Sequence, residues 1–129
     1  HLIDCRQDFK NTVIAYFANE YIKGRTPNPC VYCNQTIKWK YLLDKAIELD
    51  CTHIATGHYV RIKEQNNHFY IQKGLDPNKD QSYFLYRQNQ SDLAHTIFPI
   101  GEISKVKVRK IAEKNKFQNH DLERSSLVE

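Results

Sequence analysis

The segment that constrains this chain most is Thr26-Pro27-Asn28-Pro29-Cys30-Val31-Tyr32-Cys33-Asn34. Pro27 and Pro29 each remove a backbone donor and push the preceding residue out of helical geometry. Arg25 to Asn34 is therefore expected to form an extended, stiff loop between two helical stretches. Before it, Asp8 is placed to cap a helix, and Phe9, Val13, Phe17 and Tyr21 recur at four-residue steps along one face. Gly24 then stands where a helix C-terminus favours glycine. After the loop, Asn34 can cap a second helix with Leu42, Ala46 and Leu49 on a common face, running to about Asp50. His1 to Cys5 reads as a short buried strand. A first residue that is His rather than Met reads as a start inside a longer protein.

The rest of the chain alternates in kind. His53-Ile54-Ala55 reads as a buried strand and Thr56-Gly57-His58 as the turn leaving it. Tyr59 to Lys63 and His68 to Lys73 read as a hairpin closed by Glu64-Gln65-Asn66-Asn67. Asp76 to Asp80 is a polar loop, and a short helix is expected from Ser82 to Tyr86. Phe98-Pro99-Ile100-Gly101 is a break and a candidate domain boundary. Ser104 can cap a last helix with Val108, Ile111 and Ala112 turned inward. Strand, helix, helix, strand and hairpin in this order point to α/β architecture.

Composition narrows the class. A hydrophobic fraction of 40% is enough to bury a core, which argues against intrinsic disorder. No apolar run approaches the roughly 18 residues of a membrane span. A net charge of +4 permits nucleic-acid binding without establishing it. The four cysteines form one tight C-x-x-C pair, with Cys5 and Cys51 each alone, which fits a reduced, cytoplasmic protein better than a disulfide framework.

Three chemistries fit the C-x-x-C pair on its residues alone. A helix beginning nearby would lower a thiol's pKa and make it a reactive sulfur. Cys30 and Cys33 could instead be half of a metal site, although zinc needs about four ligands and no second pair is present. They could also be small apolar residues with no chemistry. Gly57 would let a ligand approach the backbone, and His58 could donate to phosphate or move a proton. A turn glycine and a surface histidine is the plainer reading. In Lys79-Asp80-Gln81-Ser82-Tyr83-Phe84-Leu85, Lys79 could meet phosphate, Gln81 a base edge, and an aromatic could stack. The plainer alternative is a capped helix start with Phe84 and Leu85 as core. The lysines and arginine of the last helix fit phosphate contact or a solvated face.

Taken together and in order, these motifs resemble the tRNA-specific 2-thiouridylases of the MnmA type. The resemblance runs from His1 to about Phe117. It rests on Thr-Pro-Asn-Pro-Cys-x-x-Cys-Asn followed by Ile37-Lys38, on Ala-Thr-Gly-His-Tyr followed by Arg61, on Lys-Asp-Gln-Ser-Tyr-Phe-Leu, and on Phe-Pro-Ile-Gly with Lys105 and Arg109. It implies a Rossmann-like adenine nucleotide alpha hydrolase (PP-loop) domain, of which residues 1–97 would be the C-terminal part. Residues 98–129 would begin a central tRNA-binding domain, with a tail from about 121 that fits the family poorly and reads as foreign or truncated sequence. It further implies ATP with Mg²⁺, adenylation of a wobble uracil oxygen, and sulfur delivered from a cysteine persulfide charged by a desulfurase or sulfur relay protein.

By the same resemblance Cys33 is the nucleophile, and Asn28, Pro29 and Cys30 touch the target base. Gly57 touches ATP, and His58, Lys79, Asp80 and Gln81 touch tRNA. An iron–sulfur cluster in the parent protein, and a disulfide between Cys30 and Cys33, stay open. The family's Ser-Gly-Gly-x-Asp-Ser phosphate loop has no counterpart, since no two of the four glycines are adjacent. A second catalytic cysteine and a C-terminal barrel are also lacking. The isolated chain is therefore expected to be inactive and to self-associate over its uncovered apolar faces.

Overall fold

The computed structural model describes residues 1–117. The expectation of a foreign tail from about 121 lies outside the described residues.

The first helical run is unbroken: α1 (Arg6–Phe9), a π-turn (Lys10–Ile14) and α2 (Ala15–Ile22). His1 to Cys5 is not a strand, and Leu2 is 97% exposed. Asp8 is not the cap either. The run starts at Arg6, whose amide donates to Asp4 Oδ1 at 3.1 Å, and Asp8 Oδ2 accepts from the Tyr41 hydroxyl at 2.6 Å. A tertiary partner has taken the carboxylate that the cap would have used. Gly24 closes the run as expected, at φ +71°. Its amide donates to Tyr21 and that of Arg25 to Glu20, the paired bonds of a Schellman end. Of the four-residue series, Val13 is buried, while Phe9, Phe17 and Tyr21 stay at least a third exposed.

The expected stiff loop is shorter than its prolines suggest. Residues 25–28 are irregular, and α3 (Pro29–Cys33) begins immediately after. Asn28 is its N-cap, accepting from the Val31 amide at 3.2 Å, with Pro29 at the first helical position. Proline there loses no bond, because that amide has no intrahelical partner anyway. Asn34 is thus not a cap. It is helical and buried inside a second continuous run made of α3, a π-turn (Asn34–Lys38) and α4 (Trp39–Glu48).

The inward stripe of α4 is Trp39, Leu43 and Ala46, one step away from the Leu42, Ala46, Leu49 face. Leu42 and Leu49 are exposed. Trp39, Ala46, Ile54, Val60 and Leu85 form the core, with Leu43, Ile71 and Phe98 packed against it. The fully buried Trp39 donates its indole N–H to Thr96 Oγ1 at 2.9 Å, so its one polar atom is satisfied.

Two small sheets flank this core. β1 (Ile54–Ala55) pairs in parallel with β4 (Thr96–Ile97), and β2 (Val60–Gln65) pairs antiparallel with β3 (His68–Lys73). The hairpin closes at Asn66 and Asn67, both at positive φ, the backbone of a two-residue primed turn. A 3₁₀ helix (Ser82–Leu85), α5 (Gln90–Ala94) and α6 (Lys105–Lys114) complete the order. Ser104 caps α6, accepting from the Lys107 amide. Val108 and Ala112 are half-buried, whereas Ile111 is 44% exposed and does not face inward. Helices against a parallel strand pair make the α/β class that the element order implies.

Candidate functional site

The two cysteines occupy different electrostatic positions on one helix. Cys30 is in the first turn of α3 and exposed, close to the free amides of the helix start. Cys33 is the last residue of α3, with the helix continuing beyond it, so the positive end of the dipole does not act on it as the spacing suggested. Burial pushes the Cys33 thiol above its ordinary pKa, and Lys38 pulls in the opposite direction without overcoming it. All four cysteines are free thiols. Among the described residues no group of three or more His, Cys, Asp or Glu side chains is arranged to hold a metal. Toward zinc or an iron–sulfur cluster, Cys30 and Cys33 therefore have no further ligands there.

The thiol helix is tied to the other motifs through a ring of contacts. Asn34 Nδ2 donates to the Phe84 carbonyl at 3.0 Å, fastening α3 to the 3₁₀ helix. The Gln81 amide donates to the Tyr59 carbonyl, and the Tyr59 amide donates to Gln81 Oε1, both at 3.1 Å. Tyr59 follows His58, whose ring lies 5.6 Å from that of Trp39 and 6.2 Å edge-on to Phe98. Trp39 returns the ring to the cysteine helix. Asn28, Pro29, Cys30, Cys33, His58 and the Lys79-Asp80-Gln81 stretch thus belong to one packed assembly.

Within it, several side chains already have internal work. Asn28 caps α3. Asp80 Oδ1 accepts from the Gly74 and Ser82 amides, and its Oδ2 from the Ser82 hydroxyl. Burial raises that carboxyl, and these three donors together hold it below its usual range. Lys79 is exposed and makes no ion pair among the described residues. His58 Nδ1 meets Thr56 Oγ1 at 2.9 Å. Burial, with Lys38 nearby, lowers its pKa to about 4, so the ring is neutral at pH 7.

Gly57 stands just past the C-terminal end of β1, the end of a parallel strand where ligands of α/β sheets gather. A Cβ added there would meet nothing within 4 Å, so no neighbour in the fold demands glycine. Gly101 is the opposite case, since a Cβ would fall 1.8 Å from the Val60 carbonyl oxygen. One residue of the site was missed as a participant: Lys38 acts on both Cys33 and His58. Its position next to Ile37 was visible, but the helical register that aims it was not.

An α/β domain whose cysteine-bearing helical run packs, through Trp39, beside the loop after a parallel strand defines the class: an α/β fold carrying a thiol site. The pattern of the tRNA methyl transferase HUP domain family matches residues 1–128, and the chain belongs to that family. It is 48% identical over 119 residues to the tRNA-specific 2-thiouridylase MnmA of Cytophaga hutchinsonii, covering 92% of this chain and 32% of that protein. It is 55% identical over 106 residues to the enzyme of the same name from Paraburkholderia xenovorans, covering 82% of this chain and 28% of that protein. The chain therefore spans about a third of the length of the curated relatives it matches.

Proposed function

We propose that this chain is the thiol-bearing part of a tRNA-uridine 2-sulfurtransferase, a cytoplasmic enzyme that thiolates C2 of a wobble uridine. Family membership supports the tRNA substrate, and the fastening of the Cys33 helix run to the His58 loop and the Gln81 stretch is the observation that carries the chemistry. Cys33 is the nucleophile, a half-buried thiol shielded from side reactions with solvent. ATP, bound with Mg²⁺, supplies the AMP that makes the uracil oxygen a leaving group, and the open face at Gly57 would admit it. The sulfur reaches the site as a persulfide from a cysteine desulfurase or relay protein. Lys79 and the neutral His58 meet tRNA. Asp80 and Gln81 shape that surface from behind, and Asn28, Pro29 and Cys30 present the helix start to the target base.

The division near residue 97, with a central domain starting at 98, is part of this proposal. So is the dependence of activity on segments beyond the matched third. No helix among the described residues is long and apolar enough to cross a membrane.

The test is complementation by the full-length parent gene in cells lacking their own 2-thiouridylase, with wobble 2-thiouridine quantified by mass spectrometry of digested tRNA. Restoration by the parent and loss with Cys33→Ser are expected, and Cys30→Ser measures what the second thiol adds. A parent that restores nothing favours a different reading, a C-x-x-C module that holds zinc or an iron–sulfur cluster and binds RNA without catalysis. The isolated chain, given ATP, tRNA and a persulfide donor, is expected to produce no 2-thiouridine.

A further inference from the structure

The helix that carries Cys33 changes its winding directly after it. Residues Asn34–Lys38 form a π-turn, in which the Trp39 amide reaches back five residues to the Asn34 carbonyl. In an α-helix of about 3.6 residues per turn, residues five apart point roughly 140° away from each other. Bonding from i to i+5 widens the turn and brings such residues toward one face. Cys33 and Lys38 are five apart, and the wide turn fills the interval between them.

Other features converge on this lysine. Lys38 is exposed and makes no ion pair among the described residues, so its ammonium is not neutralised by a carboxylate there. The next residue, Trp39, is fully buried and packs on His58, which fixes the rotation of the helix at this point. The other titratable groups facing the sulfur are Cys30 on its own helix and Cys5 from the segment before α1. Neither brings a positive charge. His58 faces Lys38 and is neutral at pH 7. Arg87, from the segment after the 3₁₀ helix, is held over the Tyr32 ring at 5.7 Å.

We propose that Lys38 is a positioning residue for Cys33: the π-turn swings its ammonium to the side of the helix that carries the sulfur, where it stabilises the thiolate. The thiol proton leaves to solvent, Lys38 stays protonated, and the pair replaces the helix dipole that Cys33 is too far along to feel. The inference rests on Cys33 being the nucleophile, as proposed above, but its test needs no turnover. An attacking sulfur that is half-buried needs such a cation, since burial alone favours the unreactive thiol.

The measurement is the rate of iodoacetamide labelling at each cysteine of the full chain, resolved by peptide mass spectrometry from pH 6 to 10. In Lys38→Met the Cys33 profile is expected to move to higher pH, with labelling at pH 7.5 about fivefold slower. Lys38→Arg is expected to stay within about twofold of wild type, and the exposed Cys51 to label equally in every variant. An unchanged Cys33 profile in Lys38→Met overturns the proposal and leaves the sulfurtransferase reading untouched. A shifted profile in a parent protein that thiolates no tRNA upholds the Lys38–Cys33 pair and sinks that reading instead. Should Lys38→Met lose the wild-type circular dichroism spectrum, Lys38→Gln supplies the same comparison.

Discussion

At His58 burial and the nearby Lys38 charge act in the same direction, against the protonated ring. Its pKa falls from 6.5 to about 4 on folding. Between those values the unfolded chain binds a proton that the folded chain refuses, so stability rises with pH across that window. The contribution is complete above about pH 6.5 and is lost as pH drops toward 4. After discounting for partial exposure it amounts to roughly 2 kcal/mol. Urea midpoints are expected to fall between pH 7 and pH 4.5, and His58→Phe to flatten that part of the curve. An imidazole resonance titrating near pH 6.5 would contradict this. The sequence offered Gly-His and no way to see the ring against Trp39 and Phe98, because those partners come from a helix and a strand end far away in the chain.

The α3 helix shows how a local signal can be read in two ways. Two prolines around an asparagine read as a loop, yet Asn-Pro before an apolar residue is also a cap followed by a first helical proline. The second reading is the one the chain adopts. Asn28→Ala is expected to lose about 1 kcal/mol in chemical denaturation, and Asn28→Asp to keep most of it by offering the same acceptor. Equal losses in the two variants would mean that the cap bond contributes little. The hairpin, the Schellman end at Gly24 and the Ser104 cap were legible because each is decided within a few residues. α5 and the two-residue β4 were not, since elements this short carry no period. The stripe of α4 was misread by one step because the buried Trp39 and the half-buried Leu43, not Leu42, face the core. Asn28 and Gln81 were visible as candidates, but their hydrogen bonds inside the fold depend on tertiary neighbours.

On the scale of the molecule, residues 98–105 are fastened to the rest through backbone contacts. Gly101 lies flat on the Val60 carbonyl, its own carbonyl accepts from the Leu75 amide, and the Lys105 amide donates to Asp76. Gly101→Ala is expected to cost more than about 3 kcal/mol, because the obstacle is backbone. Gly57→Ala should change the urea midpoint little, and a large loss there would remove the argument that its space is kept for a ligand. Ile14, Tyr21, Ile22 and Ile47 are each more than half exposed. Light scattering is expected to show self-association at high concentration, and a strictly monomeric mass would count against it.

The clasp between β1 and β4 has one more consequence. Parallel strands cannot be joined by a tight turn, so the clasp makes everything from Thr56 to His95 a single closed detour, with the Asn66–Asn67 tip exposed on it. Lengthening a detour is cheap, about 0.6 kcal/mol for each doubling. The hairpin tip is therefore a natural port for grafting. A small reporter domain inserted between Asn66 and Asn67 should leave the cysteine labelling rates as they were, and a change at Cys33 would show that the tip and the thiol are not independent.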